Sequence, residues 1–406
     1  MKMVKSLILG TAVAFAATAG AQAADLPVKA KPVSYVKICP QYGPGFYYIP
    51  GTDICLKVGG LVFLEAGYYA SGAITTLGNG PTWSRDDVDL QWRTRGYISL
   101  DARQNTAYGT LRSYILGGFE QRDTAATNAI TNGAFFQYAF IQFAGFTAGT
   151  ANSFFDFGTN YMTLSVASNP WNWTNLVAYT ANFGNGLSAT ISLEEQSTVA
   201  TGSPATIQQE APALVANLRL DQAWGSAQVM AATKQQRFHG AVRDDWGWAV
   251  GAGVEIKLPM LGAGDTIKFT AVTSEGAVEY TGLSGSPYGG IGGIGLGYDG
   301  APTFLTVADY AGGVANTGTD ATSFMVQYRH FWTPTLRSSF HAGYNEAYNL
   351  NAAGFGSVQV VQYGANLAWS PVKDLTLSLD VLYTEIDANN NESDKLATWF
   401  RVTRTF

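Results

Sequence analysis

Residues 89–103, DLQWRTRGYISLDAR, restrict what this chain can fold into more than any other stretch. Asp89, Gln91, Arg93, Arg95, Tyr97, Ser99, Asp101 and Arg103 take alternate positions and form one polar face. Leu90, Trp92, Thr94, Gly96, Ile98, Leu100 and Ala102 take the others, and none carries a charge. A period of two belongs to a β-strand, whose successive side chains point to opposite faces. In a soluble sheet the apolar face would cover a core. In a transmembrane barrel it would face lipid, with the polar face turned to a wet lumen. Three arginines on one face of one strand are unusual for the first arrangement, and the rest of the chain repeats the pattern.

The alternation recurs in Asn217-Leu218-Arg219-Leu220-Asp221, across Leu336 to Asn345, and from Leu375 to Tyr383. In all, about sixteen segments read as strands, from 58–70 and 89–103 to 375–386 and 396–406. Each is near the ~9–11 residues a tilted strand needs to cross a bilayer. Short connections (104–107, 184–186, 259–264, 333–335, 370–374) alternate with long ones (71–88, 122–132, 153–175, 278–321 among them). Turns at one rim and loops at the other mark an up-and-down antiparallel barrel, whereas a secreted β-sandwich need not alternate in this way. The glycines of 278–321 lack the strand–helix context of a nucleotide-binding fingerprint. That stretch reads as a flexible external loop.

The chain begins MKMVKSLILGTAVAFAATAGAQA. Lys2 and Lys5, the apolar run 7–19 and Ala21-Gln22-Ala23 fit an export signal, so 1–23 is expected to be removed after Ala23. No later run of about eighteen apolar residues suggests a spanning helix. Only 13% of residues are charged, against about 25% in ordinary soluble domains. Residues 24–57 are rich in proline and turns and read as a non-membrane segment, with the barrel spanning 58–406. Cys39 and Cys55 are the only cysteines of an exported chain, and a disulfide is the simple reading. A metal site would need more ligands than His239, His330 and His341 supply at such distances in sequence. No cofactor is expected. A formal charge of -6 disfavours nucleic acid as a partner.

The block Gly45-Phe46-Tyr47-Tyr48-Ile49-Pro50-Gly51-Thr52, the following Cys55-Leu56, Phe140-Ile141-Gln142-Phe143, and Trp224-Gly225-Ser226 carry a resemblance. So does an alternating terminal strand that ends Arg404-Thr405-Phe406. Together they resemble alphaproteobacterial outer-membrane porins of the rhizobial and brucella type, over nearly all of the mature chain. The resemblance implies a sixteen-stranded barrel, a homotrimer among outer-membrane lipid and lipopolysaccharide, and passive diffusion of ions and small hydrophilic solutes. It also implies that the third long loop, about 153–175, folds into the lumen. Porins usually place several carboxylates on that loop. Here Asp156 is its single charge, with Asn160 and Tyr161 among its polar and aromatic residues.

Arg93, Arg95 and Arg112 are the candidates for the wall of a constriction. In lipid each would cost about 2–4 kcal/mol at mid-depth, so they are expected to face the lumen or a subunit interface. The alternative is a structural role, paired with Asp101, Glu120 or Glu65. Trp171 and Trp173 could stack on sugars or pack the loop against the wall. The function classes weighed are a general passive pore, a solute-specific (sugar-type) channel, a barrel whose loops act as adhesin or receptor, and a barrel enzyme. The last would need a nucleophile and base on one face, for which Ser339 and His341 are the only suggestion. A channel and not an enzyme is expected.

Overall fold

A computed structural model describes residues 36–71, 90–123, 130–163, 173–195, 210–236, 245–283, 318–348, 356–388 and 391–406. The expected export signal, 1–23, lies outside these residues. The strands are β1 (Tyr47–Tyr48), β2 (Cys55–Ser71), β3 (Leu90–Thr106), β4 (Gly109–Asp123), β5 (Ile130–Phe143), β6 (Phe146–Asn152), β7 (Trp173–Gly184), β8 (Leu187–Glu194) and β9 (Ala213–Gln222). They continue as β10 (Gly225–Gln236), β11 (Asp245–Lys257), β12 (Thr266–Glu275), β13 (Asp320–Thr333), β14 (Leu336–Tyr348), β15 (Ser357–Val372), β16 (Leu375–Ala388) and β17 (Asn391–Thr405). Each of β2 to β17 pairs antiparallel with its sequence neighbours, and β17 pairs with β2, so the sheet closes on itself. Closure is what lets a sheet sit in lipid, because an open edge there would leave backbone groups without partners. β1 is a two-residue appendage beside the start of β2. The barrel proper therefore has the expected sixteen strands.

Alternation decides which way each strand faces. In β3, Arg93, Arg95, Tyr97 and Asp101 are buried inside, while Leu90, Trp92, Ile98 and Leu100 are exposed outside. In β12, Lys268, Thr270, Val272 and Ser274 point inward and Phe269 outward. The outer surface is thus a band of Val, Leu, Ile, Phe, Trp and Tyr, the order expected of a barrel in lipid.

Several boundaries differ from the sequence reading, among them the end of β3, at Thr106 rather than 103, and the start of β17, at Asn391 rather than 396. β2 begins at Cys55 rather than at 58. More consequentially, the stretch read as an external loop from 278 starts inside the barrel. Val278–Thr281 forms a 3-10 turn in which Val278, Tyr280 and Thr281 are buried, and Leu283 is buried beyond it. Lys234 Nζ donates to Glu279 Oε1 at 2.8 Å and Asn345 Nδ2 to the Thr281 carbonyl at 2.8 Å. The glycines after this point concealed four apolar side chains, Ala277, Val278, Tyr280 and Leu283, that seek cover from water. Residues 284–317 lie outside the described set.

At the rim of short turns, which faces the periplasm in such barrels, the N-terminal segment is held by the Cys39–Cys55 disulfide, with a Cα–Cα distance of 6.0 Å. The bridge spans a sequence separation of 16 residues, a loop length for which chain entropy gives about 3 kcal/mol. Phe46 packs beside it, and the Arg103 guanidinium lies 4.9 Å from the Phe46 ring centre.

On the same rim, the turn between β11 and β12 ends on buried Asp265. Its carboxylate accepts hydrogen bonds from Tyr328 Oη at 2.9 Å and the Phe331 N–H at 2.9 Å, and meets His330 Nδ1 at 2.6 Å. Burial opposes the charge, but the hydrogen bonds from His330, the Phe331 amide and Tyr328 outweigh it and hold the Asp265 carboxyl below its ordinary 3.8. A depressed folded value means stability that is present above the unfolded value and lost as pH falls through the folded one. Wild-type protein is therefore expected to lose stability on acidification below about pH 4, and Asp265→Asn to lose less over that window while being weaker at pH 7. Urea midpoints in detergent at pH 7 and pH 3 check this; equal pH dependence in both proteins would refute it.

Candidate pore constriction

The third loop leaves β6 and turns into the lumen. Its described part runs from Ser153 to Thr163. A loop inside a barrel must find partners for its backbone groups, and the inward faces of the wall supply them. The Phe154 N–H donates to Glu194 Oε1 at 3.0 Å, and Asn217 Nδ2 donates to the Phe154 carbonyl at 2.6 Å. Gln228 Nε2 donates to the Asp156 carbonyl at 3.1 Å, and Lys268 Nζ to the Thr159 carbonyl at 2.6 Å. The Tyr161 N–H donates to Gln327 Oε1 at 3.1 Å, and the Tyr161 hydroxyl to Glu255 Oε2 at 2.7 Å. Thr163 and Ser378 hydroxyls lie 3.1 Å apart. These anchors come from β8 to β13 and from β16, so the loop is tied along that arc of the wall.

Apolar contacts fix the same loop. Phe155 and Phe157 are buried among Val215, Met230, Ala249, Val272 and Tyr280, and the Phe155 and Tyr280 ring centres are 4.6 Å apart. Met162 packs with Met325, Leu382, Ala397 and Trp399. Two glycines make the fit possible. Gly158 takes a φ of +68°, which favours glycine, where the loop turns between Phe157 and Thr159. A Cβ on Gly253 would stand 2.2 Å from the Phe157 ring, so only a bare backbone there leaves room for the phenyl group.

Arg93, Arg95 and Arg112 all point into the barrel, on β3 and β4, and each is ion-paired. Arg93 meets Glu65 at 2.8 Å, Arg95 meets Glu120 at 2.6 Å, and Arg112 meets Asp101 at 3.0 Å. Each carboxylate also holds a second arginine: Arg401 on Glu65, Arg122 on Glu120 at 3.6 Å, and Arg103 on Asp101 at 2.8 Å. Among the described residues the wall thus holds three carboxylates, each shared by two guanidinium groups. Strand register builds the first of these units, since Glu65 lies directly opposite both Arg93 on β3 and Arg401 on β17. Aromatic faces steady the cations: Arg93 lies 5.3 Å and Arg401 4.7 Å from the Phe63 ring centre, and Arg95 lies 4.6 Å from that of Phe135.

Of the loop candidates, Asp156 follows Phe155 and contributes its carbonyl to the Gln228 anchor. The Asn160 amide oxygen accepts from Gln327 Nε2 and from the Met162 N–H. Tyr161 is the most enclosed, with its ring 4.0 Å from the Arg329 guanidinium and 5.0 Å from Lys268 Nζ. Trp173 opens β7 and packs edge-on against Tyr138, while Trp171 falls outside the described residues. Sequence reading missed Glu194, Gln228, Glu255, Lys268, Gln327 and Arg329 as partners of the loop. The available signal was their place on the inward face of their strands, which gives orientation but no partner.

A family model described as "Porin subfamily" matches residues 25–404. The curated protein "Porin Omp2a" of Brucella ovis is 30% identical over 275 residues, 62% of this chain and 75% of that protein. Among solved structures, the outer membrane channel DcaP of Acinetobacter baumannii aligns with a TM-score of 0.68 at 18% identity, covering 88% of this chain and 99% of that one. OmpT of Vibrio cholerae, an outer membrane protein solved in trimer form, aligns with a TM-score of 0.51 at 8% identity, covering 87% and 100%.

Proposed function

The chain belongs to the porin subfamily, and from that premise we propose a passive, water-filled pore for ions and small hydrophilic solutes, working as a homotrimer. Export by a leader cleaved after Ala23, a separate segment 24–57 ahead of the barrel, and contact with outer-membrane lipid and lipopolysaccharide belong to the same reading. A pore of this kind selects by width and by fixed charge and needs no bond chemistry. The observation that carries the reading is the third loop, tied across the inside of a closed barrel by polar anchors from β8 to β13 and β16. The trimer rests on membership of the porin subfamily and on the fold shared with OmpT of Vibrio cholerae, an outer membrane protein solved in trimer form.

The eyelet in this proposal lies between the arginine wall and the loop residues Asp156, Asn160 and Tyr161. Arg93, Arg95 and Arg112 remain cationic there even though each is ion-paired, because Glu65, Glu120 and Asp101 each serve two arginines. Low-dielectric walls concentrate such a field, so the pore leans toward anions. The double change Arg93→Ala, Arg95→Ala is expected to widen the pore and to move the reversal potential in a KCl gradient toward cations. If trimers of the double variant insert with conductance and reversal potential unchanged, the two arginines serve structure alone.

A further inference from the structure

Resting on that channel reading, the geometry points to a binding site for small oxyanions of the phosphate type, formed by Lys268, Arg329 and Arg337 on the wall that carries the third loop. Gln327 lies opposite Lys268, and Ser339 lies opposite Arg329. Register therefore sets the three cations on successive diagonals of β12, β13 and β14, about 7–8 Å apart along each step. All three share the inward face with buried Gln327, Ser339 and His341. The site lies between Tyr161 and the short turn that joins β13 to β14.

This wall differs from the arginine wall in one respect. There, every arginine of the three units has a carboxylate. Here, among the described residues, none of the three cations makes an ion pair. Glu255 lies directly opposite Lys268 in register, and its carboxylate, which accepts from the Tyr161 hydroxyl at 2.7 Å, sets one negative charge against the three positive ones without closing an ion pair. Lys268 spends one hydrogen bond on the Thr159 carbonyl at 2.6 Å. The Arg329 guanidinium lies over the Tyr161 ring, and its buried Nε has no hydrogen-bond partner. Arg337 has no hydrogen-bond or ion-pair partner among the described residues. Three cations with the single carboxylate of Glu255 beside Lys268 and Arg329 keep a surplus of positive charge, repel one another and lack the hydration they would have in open water. An oxyanion supplies what is missing: two negative charges and several acceptor oxygens, which a guanidinium fork engages with two parallel bonds. Phosphate as the dianion fits better than chloride, which is single and spherical. The bound ion would lie next to Tyr161, on the solute path beyond the loop, and would need to leave again for conduction to continue.

The test uses the reconstituted full-length protein in planar bilayers. KCl current is recorded while inorganic phosphate is titrated at constant ionic strength and pH 8. Wild-type current is expected to fall saturably with phosphate. Arg337→Ala, which breaks no ion pair, is expected to raise the half-blocking concentration about tenfold, the size of one charge-assisted contact. Arg329→Lys keeps charge and loses the fork, and should raise it as well, while Arg337→Lys should recover part of the loss. A wild-type current indifferent to phosphate overturns the site without any variant. So does a block of equal strength in Arg337→Ala. Absence of any KCl conductance overturns the channel reading itself, a different outcome from a channel that conducts and ignores phosphate.

Discussion

Glu65→Ala is expected to destabilise the folded barrel by about 3–5 kcal/mol, the cost of breaking a buried ion pair from one side. Glu65 is fully buried and holds Arg93 and Arg401 on either flank. Removing it leaves two guanidinium groups inside the wall, near each other and near Arg95, without the carboxylate they share. Arg93 in particular would keep its charge away from water, since its side chain is 8% exposed against 24% for Arg401. Truncating an arginine instead is milder. Arg401→Ala still leaves Glu65 paired with Arg93. The measurement is the urea midpoint of refolded protein in detergent, read by the gel shift between folded and unfolded barrels. If Glu65→Ala unfolds at the wild-type midpoint, the network is not a source of stability. If Arg401→Ala is the more damaging change, the shared-carboxylate account is wrong.

Phe155→Ala should act on conduction before it acts on folding. The ring is completely buried, between Tyr280 and the inner wall, and a change of this kind typically costs about 3–5 kcal/mol. Here the loss falls on the docking of the third loop, because Phe155 belongs to the loop and the strands close without it. At 1.4 kcal/mol per factor of ten, docked loop would lose roughly a hundredfold to several thousandfold in occupancy relative to undocked. Single-channel conductance is expected to rise and open-channel noise to grow, with the gel shift of the folded barrel kept. Unchanged conductance and noise would mean that the polar anchors alone hold the loop.

Much of the fold was legible because a membrane barrel repeats one physical rule. The alternation in β3 gave both the element and its inward face, and the short turns gave the order of strands. Carboxylate partners for the arginines were within reach of the same reasoning, since Asp101, Glu120 and Glu65 all lie on inward faces of β2 to β4. That Arg401 shares Glu65 was not, because the contact crosses from the last strand to the first. Loop anchors such as Glu194 and Gln327 were equally hidden. Period two says that a side chain enters the lumen and is silent on what it meets there. The inward turn at Val278–Thr281 failed for another reason. Its apolar residues are few and precede a long glycine-rich stretch, so composition averaged them away, while their burial depends on Phe155, which is far off in sequence.

The closure of β17 on β2 bears on how such a barrel is built. Every other strand pair of the barrel joins sequence neighbours, so hairpins can form one after another, each closing a loop of modest length. Only the β17–β2 seam brings together residues from opposite ends of the barrel. Folding can therefore proceed as a growing ribbon with two bare edges and a single long-range step. Such non-local pairing is slow to form and leaves edges exposed meanwhile. Arg401 and Glu65 face each other across that seam. In the growing ribbon Glu65 can hold Arg93 but not Arg401, so this part of the lumenal charge pattern is completed in the same event that shuts the barrel.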